Sequence, residues 1–198
     1  MISSIRDDTW QNLQLGAGVL LRNADLSGVR TADELREAIA DAMLDDGCII
    51  GATKDGGSFT CKPMLRNAED ARRTATACVM VNDGWAVRMT GTLMEITPGS
   101  LSAALGMAQV ARDGRAMVIR TKGGVGQEDF LPALCWVGNT SRGFMMIEMH
   151  GVMNVSGLSF RFSRNGTGEI PFELQAHAAD ADDNDAPCRI VLLEEETA

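Results

Sequence analysis

Tyrosine is missing from this sequence altogether, aromatic residues make up only 5% of it, and only two histidines occur. Each shortage removes a class of chemistry. His150 and His177 stand in strand-like segments and belong to no H-x-x-x-H or H-E-x-x-H pattern, so structural or surface roles are expected for both. The five cysteines (Cys48, Cys61, Cys78, Cys135, Cys188) include no C-x-x-C pair, which argues against zinc, an iron–sulfur cluster or a redox site. Their odd number fits a reducing cytoplasm, and neighbours such as Leu134 and Trp136 around Cys135 suit small buried hydrophobes. G-x-S-x-G and the Walker A motif are absent, and the glycine runs at 15–18 and 123–126 lack G-x-G-x-x-G spacing and a βαβ setting. No run approaches the roughly 18 apolar residues of a membrane span, and the first residues lack an apolar signal core, so a soluble chain with no signal peptide and no membrane partner is expected. Positive charge is also short. Eighteen Lys and Arg against 27 Asp and Glu give a net charge of −9, unsuited to wrapping nucleic acid by neutralising phosphates.

What remains is a chain of 198 residues, 45% hydrophobic, the size of one domain spanning 1–198. Thr31 and Glu34 form a T-x-x-E capping box ahead of Leu35, Ile39 and Met43, which predicts a helix over 31–45 ended by Gly47. Thr97 followed by Pro98 predicts a second helix carrying Leu101, Ala104, Leu105 and Ala108 on one face and breaking near Gly106. Leu35, Ile39, Leu101 and Leu105 are the expected buried anchors. Strands are expected over 13–21, 48–52, 58–65, 85–96, 131–137, 144–155, 158–163, 169–178 and 188–193. Turns are expected at Asn82-Asp83-Gly84, Ser141-Arg142-Gly143 and, most strongly, the Asn165-Gly166 hairpin. The fold class is therefore mainly β with two helices (α+β), an antiparallel β-sandwich or barrel.

Three features invite functional readings. The polar run 67–76 and the flexible Asp55-Gly56-Gly57 bracket 58–65, predicting a projecting arm over 54–77. The alternating acids of 180–185 resemble a calcium loop, but Asp185 and Val191 occupy the positions where an EF-hand needs Gly and Glu, so a solvated turn is expected and no metal or other cofactor. Met89, Met94, Met145, Met146 and Met149 fall in strands, where core packing is the ordinary role.

Several segments, taken in order, carry a family resemblance: Asn12-Leu-Gln-Leu-Gly-Ala-Gly-Val-Leu-Leu, Gly51-Ala-Thr-Lys-Asp-Gly-Gly-Ser-Phe-Thr, Asp83-Gly-Trp-Ala-Val-Arg-Met-Thr-Gly-Thr-Leu-Met-Glu-Ile-Thr-Pro leading into Leu101-Ser-Ala-Ala-Leu-Gly, and Gly157-Leu-Ser-Phe-Arg-Phe ahead of Ile170-Pro-Phe-Glu-Leu-Gln-Ala-His. Over 12–194 the chain resembles the major tail tube proteins of long-tailed bacteriophages, with the 31–45 helix longer than their early insertion. The resemblance implies a non-enzymatic virion protein, made and assembled in the bacterial host cytoplasm and resident in the tail. Its subunits would form a homo-oligomer of stacked hexameric rings through which genomic DNA passes without tight binding. The implied partners are tape measure, tail terminator and baseplate or tail-tip proteins. By the same resemblance the 54–77 arm, with Phe59, Met64, Leu65, Arg66, Glu69, Asp70, Arg72 and Arg73, would reach a neighbouring subunit or ring. Glu95, Glu148 and Glu173, read as one sheet face, would give the lumen an acidic wall along which DNA slides. Other readings remain open: a tail terminator, baseplate or tube-initiator protein of the same fold, the tube of a phage-tail-like bacteriocin, or an unrecognised enzyme or binding protein.

Overall fold

The computed structural model describes residues 14–24, 26–44, 48–54, 57–67, 80–140, 142–160, 168–178 and 186–194. It is mostly β, with antiparallel sheets and two helices: β1 (Gln14–Arg22), α1 (Ala32–Leu44), β2 (Ile49–Ala52), β3 (Ser58–Asn67), β4 (Met80–Leu93), α2 (Pro98–Leu105), β5 (Ala108–Asp113), β6 (Ala116–Thr121), β7 (Leu131–Thr140), β8 (Gly143–Asn154), β9 (Ile170–Ala176) and β10 (Cys188–Glu194). The main sheet runs β2-β1-β7-β8-β9-β4-β3, with β10 added to β8. Backbone hydrogen bonds from Lys54 to Thr92 (2.8 Å) and from Met94 to Ala52 (3.0 Å) then tie the end of β2 to the end of β4. Pairing thus closes into a barrel-like ring, which removes edges that an open sheet would expose.

Period-2 alternation sends one set of side chains inside this ring and the other set out. Leu20, Ile50, Leu134, Met149, Phe172 and Val87 meet in the interior. The opposite face of β1, β7 and β8 offers Leu21, Cys135, Val137 and Met146, which α1 covers with Leu35. Trp136 lies inside, over the paired Gly18 and Gly138, where a Cβ on either glycine would overlap the indole. Its Nε1 donates to the Thr53 hydroxyl (3.2 Å), which bonds both Gly18 N and Gly18 O at 3.0 Å, so the strand closure and the core side chain share one polar anchor. β8 serves two neighbours along one edge, β10 at 143–149 and β9 at 153–154. It changes partner at Gly151, whose φ of 56° is open to glycine and whose missing Cβ leaves room for the His177 carbonyl.

Both helix starts follow the capping chemistry of the sequence. Glu34 N donates to Thr31 Oγ1 (3.2 Å) and Thr31 N to Glu34 Oε2 (3.0 Å). In α2, Ser100 N donates to Thr97 Oγ1 (3.0 Å) and Thr97 N to Ser100 Oγ (2.8 Å), with Pro98 at the first position.

Several expectations need correction. In α1 the buried stripe is Ala32, Leu35 and Ala42, whereas Met43 is exposed. A strict four-residue spacing rotates by roughly 40° per step on a helix, so Met43 lies about 80° round from Leu35 while Ala42 is nearly aligned with it. Ile39 only half-buries beside that stripe. In α2 the fully buried residues are Ser100 and Ala104, and Leu101 and Leu105 are half-buried, because the small residues let the helix approach the barrel closely. Ala108 opens β5 and is not part of that helix. Asn82-Asp83-Gly84 does not reverse the chain. Gly84, with φ 135°, carries β4 straight through, opposite a β3 register shift between Pro63 and Leu65. Residues 158–160 form no strand, since β9 already has β8 and β4 on its two sides. The Asn165-Gly166 hairpin, the acidic run 180–185, Gly47 and Cys78 lie outside the described residues.

Candidate assembly surfaces

Chain connectivity leaves two ribbons beyond the barrel. β9 pairs with β4 only from Val87 to Leu93, so the earlier part of β4 has β3 as its partner, with Asn67 opposite Met80 and Pro63 opposite Trp85. On this ribbon Met64 (49%), Leu65 (52%) and Met80 (47%) are exposed, and Arg66 Nε pairs with Asp83 at 2.7 Å. Residues 58–67 of the expected arm are therefore a regular strand of the main sheet. Ser58 already pairs with Thr90, and Phe59 packs against the barrel interior. Glu69, Asp70, Arg72 and Arg73 lie outside the described residues.

The second ribbon is the β5–β6 hairpin, turning at Gly114-Arg115 and isolated from the main sheet. It lies outside every strand expected from the sequence. Its Val110 pairs with Ile119 and its Arg112 with Met117, an apolar-to-basic face that the α2 helix pattern, carried three residues past Leu105 to Ala108, obscured. Its base is held: Lys122 Nζ reaches Asp129 Oδ1 (2.8 Å) and Glu128 Oε1 (2.9 Å), and Lys122 N donates to Met107 O (3.2 Å). Asp129 also accepts from Gly126 N (2.8 Å). That amide, then Lys122, holds the Asp129 carboxyl below the usual range, and the two carboxylates, Asp129 foremost, push Lys122 up.

A third surface is strand β10. Among the described residues it pairs only with β8, and its Ile190 and Leu192 stand exposed at 53% and 68%. By contrast β3, also an edge, carries Lys62 and Pro63, residues that discourage further pairing.

The three proposed lumen carboxylates do not form one exposed wall. Glu95 follows β4 in a loop, where its Oε1 accepts from Ala52 N (3.0 Å). Glu173 sits on the outer face of β9 and pairs with Arg88 at 2.8 Å. Glu148 is buried on the α1 side of β8, gripped by Arg189 Nη2 (2.7 Å) and Nε (3.0 Å). Arg189 also donates to the Leu26 and Ser27 carbonyls, so this pair fastens the segment before α1 onto β8 and β10. A side chain with this structural task is withdrawn from any wall that solvent or DNA would touch. Period-2 alternation could not show this, because β8 is covered on both faces.

Other titratable side chains have local roles. His177 Nδ1 lies 3.0 Å from Gly151 O and its ring meets Phe130 edge-on at 5.2 Å, while His150 is half-exposed, 3.9 Å from Glu148. Burial pushes the Cys135 thiol up to about 12. Burial, then the neighbouring Cys61 thiol at 3.7 Å, pushes Cys188 up to about 11. Met89, Met146 and Met149 are core residues, but Met94 lies outside any strand and is exposed. Among the described residues no His, Cys, Asp and Glu side chains gather in a group able to hold a metal, and no helix is long and apolar enough to cross a membrane.

In comparisons with known proteins, no family model and no curated protein matches the chain.

Proposed function

We propose that this protein is a structural subunit that self-assembles, the tube protein of a long-tailed phage tail, forming stacked hexameric rings around a channel for DNA. The observation that carries this reading is the pairing of a closed, well-filled barrel with apolar surface kept outside it. A two-stranded ribbon in water is marginal on its own, yet the β3–β4 ribbon and the β5–β6 hairpin both project and expose Met64, Leu65, Met80, Val110 and Met117. Strand β10 adds an unprotected edge with Ile190 and Leu192. Surfaces of this kind mark contacts with other chains, and a ring whose subunits exchange strand edges and ribbons covers them all. The order of a strand, a capped helix at Thr97-Pro98 and a later strand with Ile170-Pro171-Phe172 agrees with the tail tube resemblance. Negative-stain microscopy of the purified protein, over a range of concentration, tests the reading. Rings or hollow tubes are expected. A chain that stays monomeric at every concentration, also when seeded with tail-tip complexes from the same particle, would overturn it.

A further inference from the structure

Among the described residues, two clusters of like charge without an ion pair stand out, apart from the single Lys62 on β3. Most described cations are matched: Arg36 with Asp33, Lys54 with Glu169, Arg66 with Asp83, Arg88 with Glu173, Arg189 with Glu148. Arg112, Arg115 and Arg120 form no ion pair with any described residue, and all three belong to the β5–β6 hairpin. Arg112 shares a face with Val110, Ile119 and Met117, Arg120 lies on the other face opposite Gln109, and Arg115 is at the turn. With three arginines against the single Asp113, the hairpin is an exposed, net basic and apolar finger on a chain whose net charge is −9, which leaves the body more acidic than the whole.

The complementary place is the outer face of α1. Asp33, Glu37 and Asp41 recur at four-residue intervals and are exposed, and Glu37 and Asp41 have no ion pair among the described residues. Like charges at i and i+4 weaken a helix, so this arrangement is unfavourable in an isolated subunit and favourable against a cation from outside it. Among the described residues, neither Glu37 nor Asp41 bonds to the hairpin within one chain.

We infer that the β5–β6 hairpin of one copy docks edge-on against the outer face of α1 of a second copy, its turn Arg115 foremost and Arg112 and Arg120 reaching Glu37 and Asp41 from either face of the ribbon. The inference rests on the self-assembly proposed above. The two surfaces differ, so the contact is head-to-tail, the kind that closes rings or continues into stacks. A nucleic acid is the poorer occupant, since the acidic body would repel it wherever the finger drew it in.

The test is a charge swap in the full chain. Arg112→Glu, Arg115→Glu and Arg120→Glu together, and separately Glu37→Lys with Asp41→Lys, should each retain wild-type circular dichroism and raise the concentration needed for assembly at least tenfold, read by sedimentation and negative stain. All five substitutions together should restore assembly to near the wild-type concentration. If charge reversal unfolds the hairpin variant, glutamine at the same three arginines replaces it, with the same loss expected. Wild-type assembly accompanied by normal assembly of the hairpin variant would overturn this contact and leave the proposed function standing. Loss without rescue by the fivefold swap would overturn the pairing with α1. A short DNA duplex bound through the three arginines while assembly is unaffected would overturn the choice of partner. A wild-type chain that never associates would remove the proposed function and this contact with it.

Discussion

Asn154 shows how much one side chain can hold in this fold. It is buried at the end of β8, where its amide nitrogen donates to the Ala104 carbonyl at the end of α2 and to Gly157 O (3.2 Å). Its amide oxygen accepts from Glu173 N on β9 (2.9 Å) and from the Ser156 hydroxyl (3.1 Å). A helix end and two strand segments therefore depend on one amide. Asn154→Ala strands a buried carbonyl and a backbone amide, and should destabilise the chain by about 2–3 kcal/mol with an unchanged m-value in urea. A loss under 0.5 kcal/mol would show that water replaces those bonds. Nothing in the sequence marks Asn154 for this role. As text it is only the start of an N-x-S/T match, because its partners lie 50 and 19 positions away.

At the scale of elements, capping was legible and strand partnership was not. Thr31 with Glu34 and Thr97 with Pro98 act within one helical turn, so their chemistry is written in adjacent letters. The β5–β6 hairpin is also local and carries an Asp113-Gly114 turn signal, but its strands alternate imperfectly and the α2 helix pattern runs on to Ala108. Its base provides a pH test. The folded-state carboxyl of Asp129 is depressed, so its contribution is complete above the ordinary aspartate value of about 3.9 and is lost as the pH falls through the lower folded value. Asp129→Asn should be less stable than wild type at pH 7, and the gap should narrow progressively below about pH 4 in thermal melts. A gap constant from pH 7 to pH 2 would rule out the carboxylate as its source.

For the whole molecule, the question is what covers the surface the barrel leaves bare. Ile190 and Leu192 are exposed on β10, so Ile190→Lys with Leu192→Lys removes little packing, and folding stability should stay within about 0.5 kcal/mol of wild type. Assembly should fail, because two lysines on an unprotected edge oppose further strand pairing. Tubes of normal yield from this variant, counted by negative stain, would show that β10 faces no neighbour. The acidic lumen expected from Glu95, Glu148 and Glu173 has no such footing. One caps a backbone amide in a loop, one pairs with Arg88, and one is buried against Arg189.

By itself the sequence determined the β-rich class, both helix starts, the turn at residues 140–143 and most strand positions, because alternation and capping act over a few residues and leave a local pattern. Tertiary structure alone decided that β2 closes on β4, that β8 changes partner at Gly151, and that Gly18 and Gly138 yield space to Trp136. It also decided that Glu148 is a buried clamp while Arg112, Arg115 and Arg120 form no ion pair with any described residue. Those outcomes depend on which distant segments meet, and a carboxylate or a guanidinium reads the same in the sequence whether its counter-charge lies across a strand or in another molecule.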